Sequence, residues 1–199
     1  MSERTTIRTR DNGDGPRGFL DAFFKSMGRA ATGVTIVTTD GPAGRAGQTV
    51  SATASASDEP PMVLVSVHGR SPVNRIIEEN GVFSVNVLGV QHDHVADTFA
   101  GRPWPGKGKW DFTCGDWECD GVRPPRIRDA VVSLECDVET IHVTGSHLVH
   151  IGRVREIHTH EGTPLVYAGH VYNTPEPLRP SIFHDYPDAR PQPRVRKKP

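Results

Sequence analysis

Cysteine is scarce in this chain: Cys114, Cys119 and Cys136 make an odd count in 199 residues. That excludes a dense disulfide framework and fits a reducing compartment, so a cytoplasmic location is expected. Cys114 and Cys119 could form half of a zinc site, but no second pair follows. Long apolar runs are missing too. No stretch of about 18 apolar residues occurs, and residues 1–15 are polar, so neither a membrane-spanning helix nor a secretory leader is expected. A net charge of −1 gives no electrostatic case for nucleic acid or a membrane surface. The chain has no G-x-S-x-G nucleophile turn, no P-loop and no G-x-G-x-x-G. Ten histidines are present, among them His92, His94, His142, His147, His150, His158 and His160. No H-E-x-x-H pattern links them, and no metal is expected.

The hydrophobic share is only 35%, but the polar and proline-rich residues gather at the ends, leaving a middle rich enough for one core. Residues 1–17 read as a disordered leader and residues 175–199 as a proline-rich basic tail around a domain over 18–174. Phe19, Leu20, Phe23, Phe24 and Met27 recur at helical spacing, predicting an amphipathic helix packed on the core. VTIVTTD (34–40), MVLVSV (62–67), FSVNV (83–87), VSLECDVE (132–139), SHLVHIGRVREIH (146–158) and PLVYAGHVY (164–172) read as strands. Ile141 and Val143 switch parity, which places a bulge near Glu139 and Thr140. Ser71-Pro72 reads as a helix start capped by Ser71, with Gly81 as its stop. HDHVADTFAGR (92–102) reads as a short helix ended by Gly101. Residues 103–128 hold Trp104, Trp110 and Trp117 among prolines and glycines, an irregular segment of the length used for lids or partner surfaces. Many strands without regular βαβ alternation predict a mainly β fold with short helices, a barrel or a sandwich.

Between them lies GQTVSATASASDEPP (47–61), where Thr49, Ser51, Thr53, Ser55 and Ser57 alternate strictly. On one extended strand these hydroxyls share a face. A row of small hydroxyl residues admits a flat or anionic ligand close to the backbone. It serves equally well as the wet face of a half-exposed sheet.

The runs MGRAATGVTIVTT, GRAGQTVSATASASDEPPMVLVSV, RSPVNRI, FSVNVL, QHDHVADTFAGR, GSHLVHIGRV and PLVYAGHVY, in this order over residues 19–172, resemble the flavin reductase family. These are NAD(P)H:flavin oxidoreductases that supply reduced flavin to two-component monooxygenases. The resemblance implies a split β-barrel of Greek-key, FMN-binding type and a homodimer. It also implies FMN or FAD as the flavin, NADH or NADPH as the hydride donor, and an oxygenase partner. It places Gln48, Thr49, Val50 and Ser51 against the flavin ring and Ser55 nearer the ribityl phosphate. His68, Arg70 and Ser71 follow, with Arg70 as a phosphate partner. Phe99, Ala100, Gly101 and Arg102 match the family's FAGR element, and His147 matches the histidine beside the nicotinamide, with Ser146 where the family has Thr. Hydride transfer needs stacked rings and no protein nucleophile, which suits a sequence that offers none. From the residues alone, Arg70 can equally be a surface charge, Phe99 a core residue and His147 a strand histidine. A flavin-binding protein, or a flavoenzyme that reduces a substrate directly on the same fold, is the alternative.

Overall fold

The computed structural model describes residues 15–176. The expected leader and tail therefore lie largely outside the described residues. Helix α1 spans Gly15–Met27, so residues 15–17 begin a helix rather than end a leader. Its apolar stripe forms at helical spacing as expected, but the stripe is not packed on this chain's core. Leu20, Phe23, Phe24 and Met27 are each about half exposed, between 49% and 57%. Periodicity reports that a helix has an apolar face, and it is silent on which surface covers that face.

β1 (Thr32–Gly33) leads into β2 (Thr35–Thr39), which is buried along its whole length. Its β-branched residues serve two cores. Ile36 packs with Val34, Leu88, Val95 and Phe99, and its neighbour Val37 packs with Val65, Ile77, Phe83 and Val85. Successive side chains of a strand point to opposite faces, so one short apolar run divides the interior in two.

β3 (Ala46–Val50), β4 (Thr53–Asp58) and β5 (Pro61–His68) follow. Helix α2 (Val73–Asn80) stops where Gly81 turns left-handed at φ 71°. β6 (Val82–Val87), a 3₁₀ turn (Val90–His92) and α3 (Asp93–Phe99) come next. Within 103–128 only two short strands pair, β7 (Trp117–Glu118) with β8 (Arg126–Ile127). β9 (Val132–Thr144) and β10 (His147–Thr159) form a long hairpin. Its register skips Glu139, since Ile151 pairs with Thr140 and Gly152 with Val138, which is the bulge expected there. The segment expected as a last single strand is instead a hairpin of β11 (Val166–Ala168) and β12 (Val171–Asn173). Gly169 and His170, at φ 63° and 64°, turn the chain between them.

Seven strands make one antiparallel sheet in the order β3-β2-β6-β9-β10-β5-β4. The strands at its two ends, β3 and β4, are consecutive in the chain. Val50 pairs with Thr35 of β2, and three residues later Thr53 pairs with Val65 of β5. The sheet therefore curls until its ends meet at Ser51–Ala52, where the Ser66 amide donates to the Ala52 carbonyl at 2.9 Å. This breaks the hydroxyl row. Thr49, Ser51, Thr53, Ser55 and Ser57 do not share a face: the strand ends after Val50, and a register shift separates Ser55 from Ser57.

Candidate functional site

The closure of the sheet leaves a groove over the end of β3, walled by the end of β5 and the start of β10. It is a cavity of about 470 Å³ lined by Gln48, Thr49, Val50, Ser51, Ala52, Ser66, His68, Arg70, Ser71, Pro72, Trp110 and His147. A second, smaller cavity of about 180 Å³ shares Thr49, Val50 and Ser51 and adds Val34, Ala100, Arg102, Tyr167 and Tyr172. The end of β3 is thus the common wall of two spaces, within the size range of small-molecule sites.

The wall is held from behind. Thr49 Oγ1 donates to the Ala96 carbonyl at 2.7 Å, and Gln48 Nε2 donates to the Phe99 carbonyl at 3.0 Å. Both acceptors belong to the last turn of α3, and the Ala96 carbonyl also accepts from the Ala100 amide at 2.9 Å. Ser71 Oγ donates to Gln48 Oε1 at 3.0 Å. The Ser71 hydroxyl is therefore not the expected cap of α2. Pro72 stands at the N-cap, no side-chain bond caps the helix, and the hydroxyl ties α2's approach to β3 instead. Gly47 is required by close approach: a Cβ there would lie 2.8 Å from Phe99 Cε1.

On the opposite wall, His68 and His147 are register partners on β5 and β10, and their rings meet edge-on at 5.2 Å. The Arg70 amide donates to His68 Nδ1 at 3.1 Å. That leaves the proton on Nε2, so His68 offers a donor in its neutral form. His147 Nδ1 lies 2.9 Å from Ser146 Oγ. Arg70 is exposed, and its guanidinium has no hydrogen-bond or ion-pair partner among the described residues. Behind this wall, Asn74 Nδ2 donates to the carbonyls of His68 and Ser71, and its Oδ1 meets His150 Nε2 at 2.8 Å. His150 is fully buried, and desolvation lowers its pKa to about 4. It stays neutral and fixes Asn74, and through Asn74 the backbone that carries His68 and Ser71.

Ten of the thirteen sequence-expected residues line one or other cavity: Gln48, Thr49, Val50, Ser51, His68, Arg70, Ser71 and His147 in the larger, Ala100 and Arg102 in the smaller. Three line neither. Ser55 is exposed on β4, and Gly101, at φ 80°, ends α3. Phe99 is fully buried, its ring against Phe112 and Trp117, so its side chain is core and only its carbonyl serves the site. Sequence reasoning missed Trp110, Tyr167 and Tyr172. Trp110 adopts φ 55°, its amide donates to the Thr98 carbonyl at 3.1 Å, and it stays 44% exposed at the mouth of the groove. Its signal was the cluster of three tryptophans in an irregular segment. Tyr172 is fixed by its hydroxyl, which donates to Asp97 Oδ1 at 3.0 Å. Desolvation and that bond push its pKa upward.

The arrangement offers a flat, backbone-lined wall, a cationic and imidazole rim, and an indole over the opening. That donor set suits a planar ring bearing an anionic chain, so a flavin phosphate fits the residues present.

Residues 27–176 match the family model described as flavin reductase like domain. An FMN reductase (NADH) RutF 1 of Methylorubrum extorquens is 41% identical over 126 residues, 63% of this chain and 61% of that protein. The chain thus spans about three fifths of that relative's length. Among solved structures, a nitrilotriacetate monooxygenase component B homologue from Mycobacterium thermoresistibile superposes with a TM-score of 0.73 at 28% identity, covering 83% of this chain and 91% of that one. The NADH:FAD oxidoreductase SgcE6 of Streptomyces globisporus superposes with a TM-score of 0.70 at 26% identity, over 88% and 100% of the two chains. The mainly β split-barrel expectation holds.

Proposed function

This chain belongs to the family of flavin reductase like domains, and from that premise we propose that it is an NADH-dependent flavin reductase acting on FMN. Reduced flavin then passes to a partner monooxygenase. The observation that carries the reading is the groove itself, where β3's end, His68, Arg70, Ser71 and His147 converge. Similarity to an FMN reductase (NADH), to a monooxygenase component B and to an NADH:FAD oxidoreductase supports it.

A flavin held in the groove by these residues would supply the redox chemistry, hydride acceptance from reduced nicotinamide. The chain's own residues bind, orient and exclude. Arg70 and the Nε2–H of His68 hold the anionic chain. Val50 and Ser51 present a shallow wall along an edge strand whose outer backbone groups have no ladder partner among the described residues. His147, at the groove's rim, would orient the nicotinamide through a polar contact of its imidazole. Trp110 covers the mouth and keeps water from the stacked rings, which must lie about 3–3.5 Å apart to react. No residue forms a covalent bond.

The exposed apolar stripe of α1 supports a homodimer in which a second copy covers Leu20, Phe23, Phe24 and Met27. The three unpaired cysteines fit a cytoplasmic protein.

The test is purified protein with NADH and excess FMN or FAD, followed at the nicotinamide absorbance band. Multiple turnovers with freely exchanging FMN are expected. No oxidation with either flavin overturns the reading, and oxidation by a tightly held, unexchanged flavin favours a direct flavoenzyme.

A further inference from the structure

Away from the groove, the β9–β10 hairpin carries a cluster that the reductase reading leaves without a role. Glu135 and Glu156 are register partners, brought opposite each other by the register shift between Val154 and Glu156. Like charges directly opposite on neighbouring strands destabilise a sheet, so this pair needs a compensating charge. His158 lies two residues beyond Glu156 on β10 and so on the same side. His158 Nε2 is 3.1 Å from Glu156 Oε1 and 3.7 Å from Glu135 Oε1, and the three atoms lie within 4.8 Å of one another.

Glu135 is only 7% exposed. Its Oε1 and the Nε2 of His158 are both shielded from solvent, and among the described residues neither has a hydrogen-bond partner. Arg126 Nε stands 3.2 Å from Glu135 Oε1 and Arg123 Nη1 3.3 Å from Glu156 Oε2. Those guanidiniums are shared: Arg126 also pairs with Glu118, Arg123 with Asp120, and Arg128 bridges Glu118 and Asp116. Among the described residues the connected network holds five carboxylates and three guanidiniums, an excess of two negative charges when His158 is neutral.

We propose that Glu135, Glu156 and His158 bind a divalent first-row transition cation of the zinc class. Two carboxylate oxygens and one imidazole nitrogen are a donor set that takes such ions. Ligands bonded at about 2.0–2.2 Å in tetrahedral geometry lie about 3.4 Å apart, between the 3.1 and 3.7 Å seen here. A dication cancels the excess charge and gives a ligand bond to the two shielded atoms that lack a hydrogen bond. Arg126 and Arg123 stay on their shared carboxylates around the ion. The three ligands line none of the flavin groove, and the ion joins β9 to β10 beneath the β7–β8 hairpin.

The full-length protein, treated with chelator and dialysed, is titrated with Co²⁺ by visible absorption and with Zn²⁺ by calorimetry and thermal melting. One equivalent of Co²⁺ is expected to give a visible band that Zn²⁺ abolishes, and Zn²⁺ is expected to raise the melting temperature in proportion to occupancy. His158→Ala and Glu156→Gln, both partly exposed positions, are each expected to weaken Zn²⁺ binding on the order of 100-fold with circular dichroism and NADH oxidation unchanged. Absence of saturable binding overturns the proposal. So does binding that both variants retain, which places the ion elsewhere. A melting temperature unchanged by Zn²⁺ also overturns it, leaving an ion pair only.

Discussion

β3 and β4 are cut from one repeating sequence, and they come to opposite ends. β3 (Ala46–Val50) is held from behind by α3, with Gln48 and Thr49 bonded to the carbonyls of Phe99 and Ala96, and it walls both cavities. β4 (Thr53–Asp58) begins three residues on, pairs only with β5, and turns Ser55 to solvent. The difference lies in what stands behind each strand. Both are edge strands, but the one braced by a helix holds its surface in one place for a ligand, and the one whose middle residues Ala54, Ser55 and Ala56 are exposed does not. Alternating hydroxyls are neutral between these outcomes.

The contrast can be broken at the brace. Phe99→Ala removes a fully buried ring from behind β3 and is expected to destabilise the protein by about 3–5 kcal/mol, read as a fall in the urea midpoint. Ser55→Ala on β4 is expected to change it by less than about 0.5 kcal/mol. If the two shifts are similar, β3 is not the braced half.

Acid should loosen the same interior. His150 titrates near 4 when folded and near 6.5 when unfolded, so as pH falls the unfolded chain takes the proton first. Stability is therefore full above about 6.5 and falls as pH drops from there towards 4, by a few kcal/mol in all. Urea midpoints at intervals from pH 7.5 to 5 should show this slope, and His150→Gln should flatten it. A wild-type midpoint that is level across that window contradicts a buried neutral imidazole.

Crowding β3 from within gives a smaller effect. Gly47→Val pushes a side chain towards the Phe99 ring and is expected to cost about 1–3 kcal/mol with some loss of flavin affinity. Ala54→Val on exposed β4 should be nearly silent in both readouts.

Much of the fold was legible because its signals are local. Gly81 ends α2, the parity switch marks the Glu139 bulge, and the β-branched run at 34–40 becomes a strand buried on both faces. What escaped the sequence depends on distant partners. Nothing in TVSATAS marks Ser51–Ala52 as a corner, because the corner exists only once β2 and β5 claim the two halves. Ser71 reads as a cap, yet Gln48, far away in sequence, takes its hydroxyl. Phe99 and Arg102 lie three residues apart at the end of α3. One turns into the core and the other lines the smaller cavity, a division set by Phe112 and Trp117 arriving from the irregular segment. Trp110 carried no periodic signal at all. The site's outline was readable, and the direction each side chain takes was not.

The central claim is that the flavin rests on β3's end and not on β4. FMN affinity measured by quenching of its fluorescence in wild type, Ser51→Leu and Ser55→Leu tests it most directly. The account predicts at least about a tenfold loss for Ser51→Leu, roughly the 1.4 kcal/mol that a displaced contact is worth, and no change for Ser55→Leu. Equal losses in both variants, or a loss in Ser55→Leu alone, would contradict it.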